Sequence, residues 1–220
     1  MTWLSVGKRT VAGCACLAVA AALVSAVAAG AAPDAAKNLI VNGNAEQGEG
    51  VGDVNGIAAD IPGWTRVGNF TVVKYDAPGG FPAAKLGAAI AGGANFFAGG
   101  PRNVHSSIRQ DVDVNSLKRL IGSGKAKATL SGNLGGYATQ TDYLAASATF
   151  LGASGARLGT IKIQSASPTA RANETALPKK TMIGAVPRKT RTVRVTLAAS
   201  RGAGDYNDGY ADNLSLTIGR

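Results

Sequence analysis

Cysteine is nearly missing from this 220-residue chain: Cys14 and Cys16 are the only two, both near the N-terminus. No cysteine follows them, so the rest of the chain holds itself together by core packing or a metal, not by disulfides. Histidine occurs once, at His105, and aromatic residues make up only 5%. No H-E-x-x-H, nucleophile elbow or phosphate-binding glycine loop is present. Ser106 follows His105, but neighbours on a strand point to opposite faces, which puts that hydroxyl out of the imidazole's reach. On this pattern the chain is not an enzyme. Paired carboxylates, Asp142 with Asp205 or Asp208, are the one arrangement that would serve a small secreted hydrolase.

Small apolar residues are plentiful at the start. Lys8 and Arg9 precede an unbroken small-and-apolar run from Val11 to Ala28, and both Ala26-Val27-Ala28 and Ala29-Gly30-Ala31 suit cleavage. Residues 1–28 are therefore expected to be a secretory signal peptide, 29–37 a flexible segment and 38–220 one domain. The expected location is outside the cell, with no membrane partner after cleavage. The alanine bias suggests a bacterial source. Losing Lys8 and Arg9 leaves 21 basic against 13 acidic residues, a net charge of +8. The densest basic group is Lys179, Lys180, Arg188, Lys189, Arg191 and Arg194. A positive field attracts polyanions; no nucleic-acid motif accompanies it, so no specific nucleic-acid partner is expected.

The pattern along 38–220 is that of strands. Leu214, Leu216 and Ile218 alternate with Asn213, Ser215 and Thr217, as Val193, Val195 and Leu197 do with Arg194 and Thr196. Further strands are expected at 38–41, 70–75, 86–92, 106–114, 125–137, 143–151 and 158–164. Gly152–Gly155 suits a hairpin turn, and 95–102 is expected to be a loop with one of Phe96 and Phe97 in the core. Asn115–Gly122 is the one convincing helix, capped by Asn115 and ended by Gly122. Eight to ten short strands with one connecting helix imply an all-β sandwich.

The two ends carry a resemblance. Asn38-Leu39-Ile40-Val41-Asn42-Gly43-Asn44-Ala45-Glu46, then Pro62-Gly63-Trp64, and finally Tyr210-Ala211-Asp212-Asn213-Leu214-Ser215-Leu216 resemble the galactose-binding-like jelly roll of carbohydrate-binding modules. The resemblance implies a structural calcium held by Glu46 and Asp212 with nearby carbonyls, a geometry that calcium tolerates. Ala45 departs from the family's usual aromatic before the glutamate. The implied function is secreted, non-catalytic binding of carbohydrate or cell-wall polysaccharide. Sugar sites pair a flat ring with polar groups that hold hydroxyls. Trp64, Phe96, Phe97, Tyr137, Tyr143, Tyr206 and Tyr210 are candidates for the first role, with Trp64, Phe97 and Tyr206 foremost, and Asn95, Arg102, Gln140, Asp142, Arg171, Asp205, Asn207 and Asp208 for the second. Beside the hydrolase, a further alternative is an adhesive envelope protein that holds polyanions through its basic face.

Overall fold

The structure is a computed structural model and describes residues 1–3 and 37–220. The expected signal peptide and the segment after it therefore lie almost wholly outside the described residues. All elements belong to the unit Ala35–Arg220.

Ten strands make two antiparallel sheets of five. They are β1 (Thr65–Val67), β2 (Thr71–Lys74), β3 (Asn95–Pro101), β4 (His105–Asp113), β5 (Lys127–Gly136), β6 (Tyr143–Leu151), β7 (Arg157–Gln164), β8 (Lys179–Ala185), β9 (Thr192–Ser200) and β10 (Tyr206–Gly219). One sheet runs β1-β4-β9-β6-β7 and the other β2-β3-β10-β5-β8. From β3 onward the pairing is nested: β3 with β10, β4 with β9, β5 with β8, β6 with β7. That is one long hairpin folded over on itself, the wrapping of a jelly roll. The expected fold is the observed one, with β1 and the expected strand β2 at the sheet edges.

The core follows from period two. Val193, Val195 and Leu197 of β9, Leu130 of β5 and Leu214 and Leu216 of β10 are all at most 1% exposed. Trp64 plugs one side of this core, its ring edge-on to Phe97 with centroids 5.8 Å apart and its Nε1–H donating to the Asn42 carbonyl at 3.2 Å.

Several elements differ from expectation. Residues 38–41 form no named strand; Leu39 N–H bonds the Leu216 carbonyl, so the segment lies against β10 as an irregular strap. The expected strand at 86–92 is instead helix α1 (Ala84–Ala89), because a run of alanine and leucine suits a helix as well as a weak strand. The expected loop 95–102 is the fully buried strand β3. Strand β8 had no expected counterpart. Its residues 179–185 are mostly exposed and follow no clean alternation. The 115–122 helix is a 3-10 turn, Asn115–Leu117, running into helix α2, Lys118–Gly122. Asn115 does not cap it: the cap position is Val114, with no side-chain cap bond, and Asp113 Oδ1 accepts the Asn115 backbone N–H at 2.7 Å just ahead of the turn.

Phe96 and Phe97 point to opposite faces, yet both are 0% exposed. Phe97 enters the sandwich core. Phe96 enters a second apolar cluster on the outside of the sheet, with Val73, Tyr75, Phe81, Leu177 and Tyr210. The 76–82 segment and α1 cap that cluster, with Leu86 and Ile90 packed against it.

Candidate functional site

At one end of the sandwich the 102–104, 137–142 and 201–205 loops come together. Most of the expected ligand-binding residues are here, but as scaffold. Asp142 is 3% exposed; one oxygen accepts the N–H groups of Gly202 and Ala203 at 2.7 and 2.9 Å, and the other that of Asp208 at 2.6 Å. Three donors anchored on one carboxylate fix the 201–205 loop. Asn207 is 0% exposed and donates to the Val104 carbonyl. Asp208 is 7% exposed and accepts a hydrogen bond from the Tyr210 hydroxyl. Burial pushes its carboxyl up to about 6 against the pull of that bond, with the nearby Asp142 adding to the rise.

Arg171, expected among the polar ligand contacts, is 5% exposed and instead ties this end together by donating to the carbonyls of Gly136, Ala138, Gln140 and Glu174. Tyr206 is half-buried, not the exposed ring of a platform, and its ring lies edge-on to Phe81. Gln140 is half-buried as well, and its Oε1 and the Tyr206 hydroxyl have no partner among the described residues. Arg102 and Asp205 alone of the expected polar contacts are exposed. Trp64, Phe97 and Asn95 are buried, so neither ring can lie flat against a sugar. The hydrolase arrangement meets the same obstacle: Asp142 and Asp208 are enclosed and already bonded.

Glu46 and Asp212 do come together. Both face the Gly92-Gly93 turn, where a Cβ at Gly92 would lie 2.3 Å from Asp212 Oδ2 and one at Gly93 would lie 2.6 Å from Glu46 Cδ. Glu46 Oε1 accepts the Ala94 and Asn95 N–H groups, while Asp212 accepts the Tyr75 hydroxyl at 2.6 Å and the Asn213 N–H at 2.6 Å. Burial pushes the Asp212 carboxyl up to about 7; the Tyr75 and Asn213 bonds oppose this and Glu46 adds to it. Among the described residues no lysine or arginine pairs with either acid. Beside them, Asn95 Oδ1 is buried against Gly50 without a hydrogen-bond partner. Two uncompensated carboxylates in one corner suit an oxygen-seeking cation. No group of three or more metal-ligating side chains gathers among the described residues, so main-chain and amide oxygens would complete the shell.

The open surface is the outer face of the β1-β4-β9-β6-β7 sheet. Register places Tyr143, Ser200 and His105 in one row across β6, β9 and β4, and Ser147, Thr196 and Arg109 in a parallel row four residues further along. Tyr143 is 44% exposed, and His105 Nδ1 lies 3.1 Å from Ser200 Oγ. Tyr143, Ser147, Thr149, Thr160 and Lys162 line a groove of about 370 Å³. Larger hollows exist: about 690 Å³ between the end of α1 and β5 and about 520 Å³ in the 48–62 loop, neither lined by an aromatic, and about 500 Å³ beside Lys74, where the one ring, Tyr75, is buried. The outward residues of β4, β6 and β9 are legible as the polar half of each alternation; which sheet face stays uncovered is not.

No protein-family model matches the chain, and no curated protein matches it. Among solved structures, a family 16 carbohydrate-binding module is similar over 82% of this chain and 99% of its own, with 18% identity and a TM-score of 0.48. The CBM22-1 xylan-binding domain of Paenibacillus barcinonensis Xyn10C is similar over 85% of this chain and 97% of its own, with 12% identity and a TM-score of 0.43. The enzymatically active domain of a tailspike protein of bacteriophage CBA120 is similar over 82% of this chain, with 16% identity and a TM-score of 0.47; the match spans 21% of that chain. These likenesses are loose, and the jelly roll stands on the strand pairing itself.

Proposed function

We propose that residues 38–220 form a secreted, non-catalytic carbohydrate-binding module that holds a polysaccharide along the outer face of the β1-β4-β9-β6-β7 sheet. One observation carries this reading. The face is open, floored by small hydroxyl side chains, and bears the domain's one exposed aromatic ring, Tyr143, at its end. A sugar ring can lie against Tyr143 while Ser147, Thr149 and Thr196 exchange hydrogen bonds with its hydroxyls. Arg102 and Asp205, exposed on the loops beyond the Tyr143 row, supply charged rim contacts. Export rests on the signal peptide in the sequence. A calcium ion held by Glu46 and Asp212 would join the N-terminal strap to β10, a structural role away from the sugar.

Binding to a panel of insoluble neutral polysaccharides tests the reading, with wild type beside Tyr143→Ala. Retention of the wild type that survives high salt and weakens about tenfold in the variant, roughly 1.4 kcal/mol, is the expected result. Retention indifferent to Tyr143→Ala would move the site elsewhere. Release of soluble sugar from any polymer would replace binding by hydrolysis.

A further inference from the structure

We infer that the end of the sandwich opposite the Tyr143 row is a second binding surface, a basic pole that docks an anionic polysaccharide. It is built from two connections far apart in sequence. The β4–β5 connection contributes Lys118, Arg119 and Lys125, and the β8–β9 loop contributes Arg188, Lys189 and Arg191. The fold presses them together. Arg188 Nη1 donates to the Gly122 carbonyl at 3.3 Å, and its Nε would lie 2.6 Å from a Cβ at Gly124. The Val186 N–H bonds the Ala126 carbonyl at 2.9 Å, and the Val114 N–H bonds the Arg191 carbonyl at 3.0 Å. Five of the six are exposed and Arg191 is half-buried.

Among the described residues none of the six has an ion-pair partner, although Asp113 adjoins them at the end of β4. Asp111 is taken by Arg194 at 2.7 Å, and Asp113 is turned onto Asn115. Of the domain's other acids, Asp142, Glu174, Asp205 and Asp208 lie at the opposite end, Glu46 and Asp212 share their own corner, and Glu49, Asp53, Asp60 and Asp76 lie in the segments around β1 and β2; none forms an ion pair with the six. The dense basic group in the sequence is also regrouped. Lys179 and Lys180 open β8 at the opposite end from Arg188, and Arg194 is paired on the sheet face. Clustered like charges with no ion-pair partner focus a field that draws in an anion.

The chemistry of the pole selects the partner. Neither connection carries an exposed large apolar or aromatic side chain. Stacking of bases, the usual means of holding single strands, has no ring to use, and a membrane surface has no apolar anchor to receive. A glycan bearing sulfate, phosphate or uronate groups needs only the charges. With its two surfaces at separate places, one molecule could bridge a neutral and a charged polymer.

Dextran sulfate is the probe, with neutral dextran as its control. The test variant is Lys118→Gln/Lys125→Gln/Lys189→Gln, whose three side chains make no hydrogen bond among the described residues. Its partner is Lys85→Gln/Lys179→Gln/Lys180→Gln, which removes the same charge elsewhere. Wild type is expected to bind dextran sulfate in low salt. The pole variant should lose about tenfold or more in affinity, with the slope of log affinity against log salt reduced by about 2–3, near one unit per contact removed. The partner variant should lose no more than about threefold. Equal losses in both would overturn the pole in favour of overall charge, and binding to neither dextran would overturn it outright. Equal or tighter binding to single-stranded DNA would overturn the choice of partner. Tyr143→Ala should leave dextran sulfate binding unchanged, which separates this surface from the neutral-sugar face.

Discussion

Asp142 shows how a side chain of ligand-binding type can belong to the frame. In the sequence it is a loop carboxylate close to Tyr143, indistinguishable from one that would grip a hydroxyl. In the fold its two oxygens receive three backbone N–H groups, and it is almost wholly enclosed. Asp142→Ala would leave the buried Asp208 N–H without its acceptor, at about 1–3 kcal/mol, and would also release the part-buried Gly202 and Ala203 N–H groups that fix the loop. Thermal or urea unfolding of Asp142→Ala should therefore show a loss of several kcal/mol, of order 3, while affinity for the retained polysaccharide stays at the wild-type value. An affinity loss with unchanged stability would return Asp142 to the binding site. Arg171 works in the same way from the other side, a cation surrounded by carbonyls and depressed in pKa by its burial. Neither role is written in local sequence, because the partners sit on other loops.

Among the elements, β3 departs furthest from what its sequence suggests. Asn-Phe-Phe-Ala-Gly-Gly-Pro has too many glycines and a proline for a strand by propensity. Glycine is required here by close approach: a Cβ at Gly100 would stand 1.8 Å from the Asn69 carbonyl oxygen, and φ there is +89°. The paired phenylalanines then face two different apolar clusters, one inside the sandwich and one under the α1 cap. Phe96→Ala is accordingly expected to cost about 3–5 kcal/mol, as much as Phe97→Ala, although only Phe97 faces between the sheets. Denaturant unfolding of the two variants measures this. A Phe96→Ala loss below about 1 kcal/mol would show that the outer cap is loose and contributes little. The α1 segment itself is a case of equal local preference. Small residues permit helix or strand, and the decision falls to Phe96, Tyr75 and Phe81, which need a cover.

For the whole molecule, a cation held by Glu46 and Asp212 would join the strap before β1 to the last strand, as a disulfide would in a chain that had one. Without a cation, folded Asp212 keeps its proton up to about pH 7, whereas an unfolded aspartate releases it near 3.8. The folded state thus binds more protons between those values, and this group's contribution to stability falls as pH rises from about 4 to 7 and is flat above. Asp208, raised to about 6, acts with the same sign over a narrower window. Wild type should therefore lose stability relative to Asp212→Asn across that range when a chelator is present. Bound calcium would reverse the sign, because the ionised carboxylate then has a partner. The expected result at pH 8 is a rise in wild-type Tm on adding calcium and none in Asp212→Asn. A rise of equal size in both would remove the corner as a metal site.

Period-two alternation in 193–199 and 213–218, the polar turns between short strands, and the lack of cysteine were sufficient to specify an all-β sandwich held by its core. They are properties of neighbouring residues, and a half-buried strand imposes them wherever it lies in a sheet. The meeting of Glu46 with Asp212 was legible only through the resemblance of the two chain ends. Tertiary structure alone decided the rest. It covered Phe96, buried Asp142 and Asp208 in hydrogen bonds to the frame, and left the Tyr143 face open. It also brought Lys118 and Lys125 beside Lys189. Each of those outcomes depends on which strands pair and which surface another segment covers, and the free energy of that choice lies in contacts between residues far apart in the chain.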